Sequence, residues 1–300
     1  MVKICIVYLV SPRSHVHSSA AMKQDGISKF EVFKESLKTA KKYLPDYPII
    51  VFHEDYTEKD IEECNEVISK ELQFIKVDFE NHPTVTPTQR ELWERGEDGG
   101  VTGRPWGYRM MCRFFCGVMQ NLPEIQEYDY YIRLDHDSFL MDPKPPRSIE
   151  EHIREKNFDY SLRSLFIDTK EKDELWHFTK KYLLRHDMPE KIEKLRAFGM
   201  LDGNENYIGV SPYNNYHVCR VDFWRRPDVK EFLDAIEKEN GIVKSHWQDA
   251  NIHGLLMGIF IDNDKIFMQT DFGYRHNFHY SVLGGKGIEY IHNGKPEDWP

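Results

Sequence analysis

The first 79 residues alternate short, nearly continuous apolar runs with stretches whose apolar residues recur every three or four positions. The runs are Lys3–Val10 (KICIVYLV) and Pro48–His53 (PIIVFH), the pattern of strands buried on both faces, and Gln73–Phe79 (QFIKVDF), a third strand. Between the first two, Ile27, Phe30, Phe33, Leu37, Ala40 and Leu44 trace one face of a helix that Pro45 stops. Between the second and third, Thr57 with Asp60 three residues on opens a helix whose apolar side holds Ile61, Cys64, Ile68 and Leu72. Strands joined by helical crossovers must run parallel, so the pattern predicts an α/β chain: a Rossmann-like, mostly parallel central sheet flanked by helices. Such sheets bind ligands outside the carboxyl ends of their strands.

Tyr128–Leu140 (YDYYIRLDHDSFL) adds a further short strand that ends in two carboxylates, Asp135 and Asp137, one residue apart. Residues i and i+2 of an extended chain point to the same side, which brings both acids to one small volume. Two acids that close repel each other unless a cation or a shared proton lies between them. Hard oxygen ligands with open positions suit Mn²⁺ or Mg²⁺, which then bridge to a diphosphate. A solvated acidic turn is the competing reading. The loop after the first strand, Ser11-Pro12-Arg13-Ser14-His15, puts Arg13 where a nucleotide phosphate would be met; the alternative is a plain surface arginine.

Composition narrows the partners. A net charge of −10 argues against nucleic acid, because phosphate neutralisation needs clustered Lys and Arg. The five cysteines form no CxxC pair and read as core thiols. No apolar run reaches membrane-spanning length, and a strand starting at Lys3 is unlike a signal peptide. These features predict a soluble protein of the cytoplasm.

From His82 to Gly107 prolines and glycines break every apolar period, as in a long functional loop. Tyr108–Leu122 reads as a helix ended by Pro123, with Arg109 and Arg113 one turn apart on a common face. That pair fits a diphosphate clamp, and equally ion pairs with Asp135 or Asp137. Ser148 and Glu151 form a capping box, Asp159–Ile167 reads as a strand, and Thr169–Arg185 and Pro189–Phe198 as solvated helices. Gly199–Asn215 reads as a loop and Val218–Trp224 as a strand, followed by a helix that Gly241 closes. His246–Ile259 is predicted helical, with Asp249 and His253 at i,i+4 on one face. That spacing suits a metal, a carboxylate–imidazole pair, or a mere polar edge. Asp264–Thr270 is the last strand read before Asp271–Asn277.

Several of these segments, in order, resemble a known family, the fungal α-1,2-mannosyltransferases of glycosyltransferase family fifteen. Tyr108-Arg109-Met110-Met111-Cys112-Arg113-Phe114 is similar to its YRxMCRF segment, and Tyr128–Asp137 to its YxYYxRxEPD strand. Asn214-Asn215-Tyr216-His217-Val218 resembles SNFEI, Ser245–His253 resembles ERWGDAPVH, and Asp271–His276 resembles DIGYRH. The resemblance implies a GT-A architecture in a single domain, residues 1–300, with a nucleotide-sugar-binding half up to about residue 140 and an acceptor-binding half beyond it. It implies transfer of mannose from GDP-mannose to a sugar hydroxyl of a glycan or glycoprotein, with Mn²⁺ and with retention. Carried over by position, the metal ligands fall on Asp135 and His276, with Asp137 beside them. The donor contacts fall on Tyr108 and Arg13.

One departure stands at the reacting centre: His217 replaces the family's acidic residue, its candidate nucleophile. A neutral imidazole is a poor covalent partner for an anomeric carbon. The expectation is therefore a front-face displacement in which the departing phosphate takes the acceptor's proton, with His217 orienting a hydroxyl and Asp249 as the second polar group. Three alternatives stay open: another nucleotide sugar; a metal-dependent phosphohydrolase built on Asp135, Asp137, Asp249 and His253; and an inactive sugar-binding scaffold. The fungal enzymes are anchored Golgi proteins, so the alternative to the cytoplasm is the Golgi lumen.

Overall fold

The computed structural model describes residues 2–13, 28–69, 71–142, 144–276, 279–284 and 287–292. Ser14, His15, Ile27 and Asn277 lie outside the described residues. In β1 (Ile4–Leu9), Cys5 and Val7 enter one apolar cluster while Ile4, Ile6 and Tyr8 enter another. β2 (Ile49–His53) divides in the same way, Ile50 and Phe52 to one side and Ile49 and Val51 to the other. Period-two burial on both faces is why these runs are apolar throughout. Helix α1 (Lys29–Tyr43) buries Phe30, Phe33, Leu37 and Ala40 in the second cluster. Helix α2 (Glu58–Ile68) opens with the Thr57–Asp60 capping box, an arrangement that contributes about 1 kcal/mol.

With β3 (Gln73–Lys76), β4 (Tyr130–Asp135), β6 (Tyr160–Leu162), β9 (Tyr216–Arg220) and β10 (Ile266–Met268), they form a seven-stranded sheet of order β10-β6-β9-β4-β1-β2-β3. β9 runs antiparallel to β4 and β6, and the other neighbours are parallel. A second, antiparallel sheet of order β13-β12-β11-β5 contains β5 (Ser138–Met141), β11 (Gly273–His276), β12 (His279–Gly284) and β13 (Gly287–His292). The chain passes from the first sheet to the second in the two-residue turn His136–Asp137 between β4 and β5.

Several elements differ from their sequence patterns. The stretch read as one helix over Tyr108–Leu122 is α-helical only over Trp106–Arg113. It then widens across Phe114–Val118, where Gly117 takes φ +107, a value that a side chain disfavours. The loop from His82 holds the helix Pro87–Glu94, capped by Thr86 and Gln89; Pro87 starts this helix instead of breaking it. The run Asp159–Ile167 divides into β6 and β7 (Leu165–Ile167), which belong to different sheets. The strand read as Val218–Trp224 is β9, and the chain turns helical at Val221. Gly199–Asn215 contains β8 (Val210–Pro212), paired with β7. Asn240, at φ +56, caps the helix Pro227–Glu239, one residue before Gly241. The last long helix runs over Asp249–Phe260; His246, at φ +60, lies outside it.

Candidate active site

Asp135 is the last residue of β4 and pairs in register with Leu9, so it stands at the carboxyl end of the parallel sheet. Asp137 is the second residue of the turn, and β5 then pairs with β11, placing His276 opposite Ser138. The two acids meet because the chain turns between the sheets, not because one strand extends through both. Among the described residues, Asp135, Asp137 and His276 each offer a ligand atom, and these atoms lie within 4.8 Å of one another. His276 Nε2 is 3.1 Å from Asp137 Oδ1 and 3.8 Å from Asp135 Oδ2. Two carboxylates and an imidazole in this arrangement fit a divalent cation of the Mn²⁺ or Mg²⁺ class with positions left for phosphate oxygens. Burial pushes the His276 pKa down, but Asp137 and Asp135 outweigh it and the net shift is upward. The other ring nitrogen, Nδ1, is 2.9 Å from the Tyr213 hydroxyl, which fixes the ring so that Nε2 faces the acids.

Arg133 joins this cluster to Asp249. It is 2% exposed, and its Nε donates to Asp135 Oδ1 at 3.0 Å while Nη1 donates to Asp249 Oδ2 at 2.9 Å. Its guanidinium lies 3.5 Å over the Phe115 ring. Asn214 Nδ2 donates to the same Asp249 oxygen at 2.8 Å. Burial raises the Asp249 pKa, yet the Arg133 charge and these hydrogen bonds outweigh it, and the carboxyl is held below its usual value. Asp249 is the first residue of its helix, where the backbone dipole also favours an anion.

His217 stands opposite Arg133 in the β4–β9 pairing. It is fully buried: Nδ1 donates to the Asn214 carbonyl at 3.1 Å, and Nε2 accepts from the Tyr131 hydroxyl at 3.1 Å. The Tyr160 ring stacks on it at 4.9 Å. Both nitrogens are thus occupied within the fold, which corrects the expectation that His217 orients an acceptor hydroxyl. His253 points the same way, with Tyr160 Oη at 2.9 Å from Nδ1 and the Phe115 carbonyl 3.0 Å from Nε2. It does not join Asp135 and Asp137, so the four-residue convergence that a phosphohydrolase would need does not occur.

The arginines expected at the diphosphate are engaged elsewhere. Arg109 is buried and donates to the carbonyls of Arg104, Val243 and Val101, tying the loop before its helix to the short helix Gly241–Ser245 that precedes Asp249. Arg113 pairs with Glu237 at 2.8 Å. Neither meets Asp135 or Asp137. Arg13 pairs with Asp60 at 2.9 Å and lies over Phe30. Tyr108 is half-buried with the Arg104 guanidinium 4.7 Å over its ring, and burial pushes its hydroxyl pKa up. Arg133, Asn214 and Tyr213 were not put forward as site residues from the sequence. Arg133 carried a signal, since it lies two residues before Asp135 on the same strand face.

A family model described as glycolipid 2-alpha-mannosyltransferase matches residues 27–284. The O-glycoside alpha-1,2-mannosyltransferase omh1 of Schizosaccharomyces pombe is 26% identical over 200 residues, 62% of this chain and 48% of that protein. The alpha-1,2 mannosyltransferase KTR1 of Saccharomyces cerevisiae is 27% identical over 190 residues, 61% of this chain and 47% of that protein. The fold is also that of core-mannan synthase A from Aspergillus fumigatus, solved in an Mn/GDP form. There the TM-score is 0.77 at 18% identity, covering 99% of this chain and 82% of that one. The chain spans about half the length of the curated relatives it matches. This overturns the cytoplasmic setting expected from the strand at Lys3. The resemblance implied Golgi enzymes, and a sequence spanning half of its relatives carries no information on a leader or anchor. Among the described residues no helix is long and apolar enough to cross a membrane. With the family model covering most of its length, the chain belongs to the glycolipid 2-alpha-mannosyltransferase family.

Proposed function

We propose that this protein is a metal-dependent glycosyltransferase that moves a hexose, mannose from GDP-mannose in the first instance, to a sugar hydroxyl of a glycan. The observation that carries this reading is the convergence of Asp135, Asp137 and His276 at the carboxyl end of the parallel sheet. These three residues would hold Mn²⁺ or Mg²⁺, which supplies charge stabilisation to the departing diphosphate. Residues 1–140 form the nucleotide-sugar-binding half in this reading, and residues 141–300 the acceptor half. The manganese- and GDP-containing form of the Aspergillus enzyme supports the same pairing of cation and nucleotide.

The chain's own residues then divide the work. Arg133 bridges Asp135 and Asp249 and so fixes the distance between the donor side and the second carboxylate. Asp249, ionised and held by Arg133 and Asn214, faces the acceptor and orients its hydroxyl. The bond from the acceptor oxygen to the anomeric carbon forms on the face from which the phosphate leaves, and a departing phosphate oxygen takes the hydroxyl proton. His217, neutral and fully hydrogen-bonded, shapes the floor beneath that centre and supplies no nucleophile. Tyr108 contacts the donor in this reading, as its place in the YRMMCRF segment implies.

A second reading within the same class, transfer of a different hexose, is favoured by one observation. His217 stands where the family carries a carboxylate, which changes the reacting centre. A panel of GDP- and UDP-sugars with Mn²⁺ and oligomannose acceptors separates the two. The proposal expects a raised melting temperature and a saccharide product with GDP-mannose. Product from another donor alone selects the second reading. Phosphate release without a saccharide product sinks both.

A further inference from the structure

Each of the three arginines that the sequence offered to the diphosphate has a partner within the fold, and a further cation stands at the same end of the sheet. We propose that the ammonium of Lys29 binds the diphosphate of the nucleotide-sugar donor, alongside the acid–histidine cluster. The inference rests on the donor reading above and names a donor-binding residue within it.

Lys29 is the first residue of the helix Lys29–Tyr43. Its Nζ donates to Ser11 Oγ at 3.0 Å. Ser11 lies two residues beyond Leu9, and Leu9 pairs with Asp135. The ammonium therefore stands at the carboxyl ends of two adjacent parallel strands, where phosphates are met in such sheets. It is half-buried, and among the described residues its hydrogen-bond partner is a neutral hydroxyl and not a carboxylate. Lys34, one helical turn further on, shows the ordinary arrangement, with Glu31 at 2.9 Å and Glu63 at 3.2 Å. Burial lowers the Lys29 pKa, and the Asp137 charge nearby opposes that shift without cancelling it. A half-buried cation one residue away from the helix cap, close enough to feel Asp137 and hydrogen-bonded to a neutral hydroxyl, is placed to receive an anion that the acids share through a cation. A phosphate oxygen satisfies both the geometry and the charge.

The test is isothermal titration of Mn²⁺ with GDP, with inorganic pyrophosphate and with guanosine against wild type, K29M and K29R. K29M is expected to weaken Mn²⁺·GDP and Mn²⁺·pyrophosphate by about tenfold, the loss of one charge-assisted contact. Guanosine binding stays unchanged, K29R keeps most of the diphosphate affinity, and the melting temperature of K29M stays with wild type. Should K29M melt lower, K29Q carries the same comparison. Wild-type affinity for Mn²⁺·GDP in a folded K29M overturns the assignment and leaves the donor reading intact. Pyrophosphate binding that needs Lys29, without any GDP preference over pyrophosphate, keeps the assignment and overturns the nucleotide. A wild-type protein that binds neither overturns both.

Discussion

Arg133 is the residue on which the candidate site turns. It is buried between a metal-facing carboxylate and a second carboxylate, so removing its charge leaves Asp249 uncompensated in a dry environment. We expect R133M to lower stability by about 3–5 kcal/mol in urea titration, the usual cost of stripping one partner from a buried pair. Transfer activity should fall along with it, and a variant as stable as wild type would remove the bridging role. Tyr213 acts more locally, through the ring of His276. Y213F is expected to weaken Mn²⁺ affinity by about tenfold in EPR titration with the fold intact, because the imidazole then loses its orienting partner. Unchanged affinity would mean that the 2.9 Å contact does not set the ligand. Of these residues, Asp135, Asp137 and His276 could be read from the sequence by spacing and resemblance. Tyr213 could not: it lies just beyond a three-residue strand, and no period or motif marks the end of so short an element.

At the scale of elements, the site depends on two junctions. One is the turn between β4 and β5, which carries the chain from the parallel to the antiparallel sheet and sets Asp137 beside Asp135. The other is the contact between the helix Asp249–Phe260 and β8. Gly254 permits it: a Cβ there would sit 2.3 Å from the Val210 carbonyl. G254A should push this helix off β8, cost about 1–3 kcal/mol of stability and displace Asp249 from Arg133. Thermal melts and transfer rates measure the two effects, and a silent substitution would show that the helix adjusts freely. β1 and β2 were legible because each run is buried on both faces and flanked by breakers; β3, exposed at Gln73 and Lys76, was legible from its place after the second helix. The helix over Tyr108–Leu122 was misread because the apolar pattern continues through Gly117, and only the backbone reveals the positive φ there. Likewise the run Asp159–Ile167 is apolar on both sides of a break at Arg163 and Ser164, where the chain leaves one sheet for another. Hydrophobic period reports burial; it does not report which sheet a segment joins.

For the whole molecule, buried histidines set a pH limit. Burial holds His253 and His246 down to about 4 and His217 well below its ordinary value, so all three stay neutral in the fold. In the unfolded chain each binds a proton near pH 6.5. Stability is therefore fully present above pH 6.5 and is lost as the pH falls from there toward 4, by at most about 1.4 kcal/mol per unit for each group. His276 runs the other way: its raised pKa gives stability below pH 6.5 that is lost as the pH rises through its folded value. Burial also lowers the His53 and His82 pKa values, so five groups against one leave a net loss on acidification. Urea midpoints at pH 7.5, 5.5 and 4.5 test this, and a flat profile would mean that these imidazoles are protonated in the native state. Family membership was legible in the order of five segments, whereas the setting in the cell was not, since that rests on chain the segments do not include. The central claim is that Asp135, Asp137 and His276 hold the cation that receives a nucleoside diphosphate. It is tested most directly by Mn²⁺ EPR titration with and without GDP on wild type, D135N and H276A. The account expects one tight Mn²⁺ site in wild type, tightened further by GDP, and none in either variant. Equal Mn²⁺ binding in all three proteins, or a wild-type site indifferent to GDP, would contradict it.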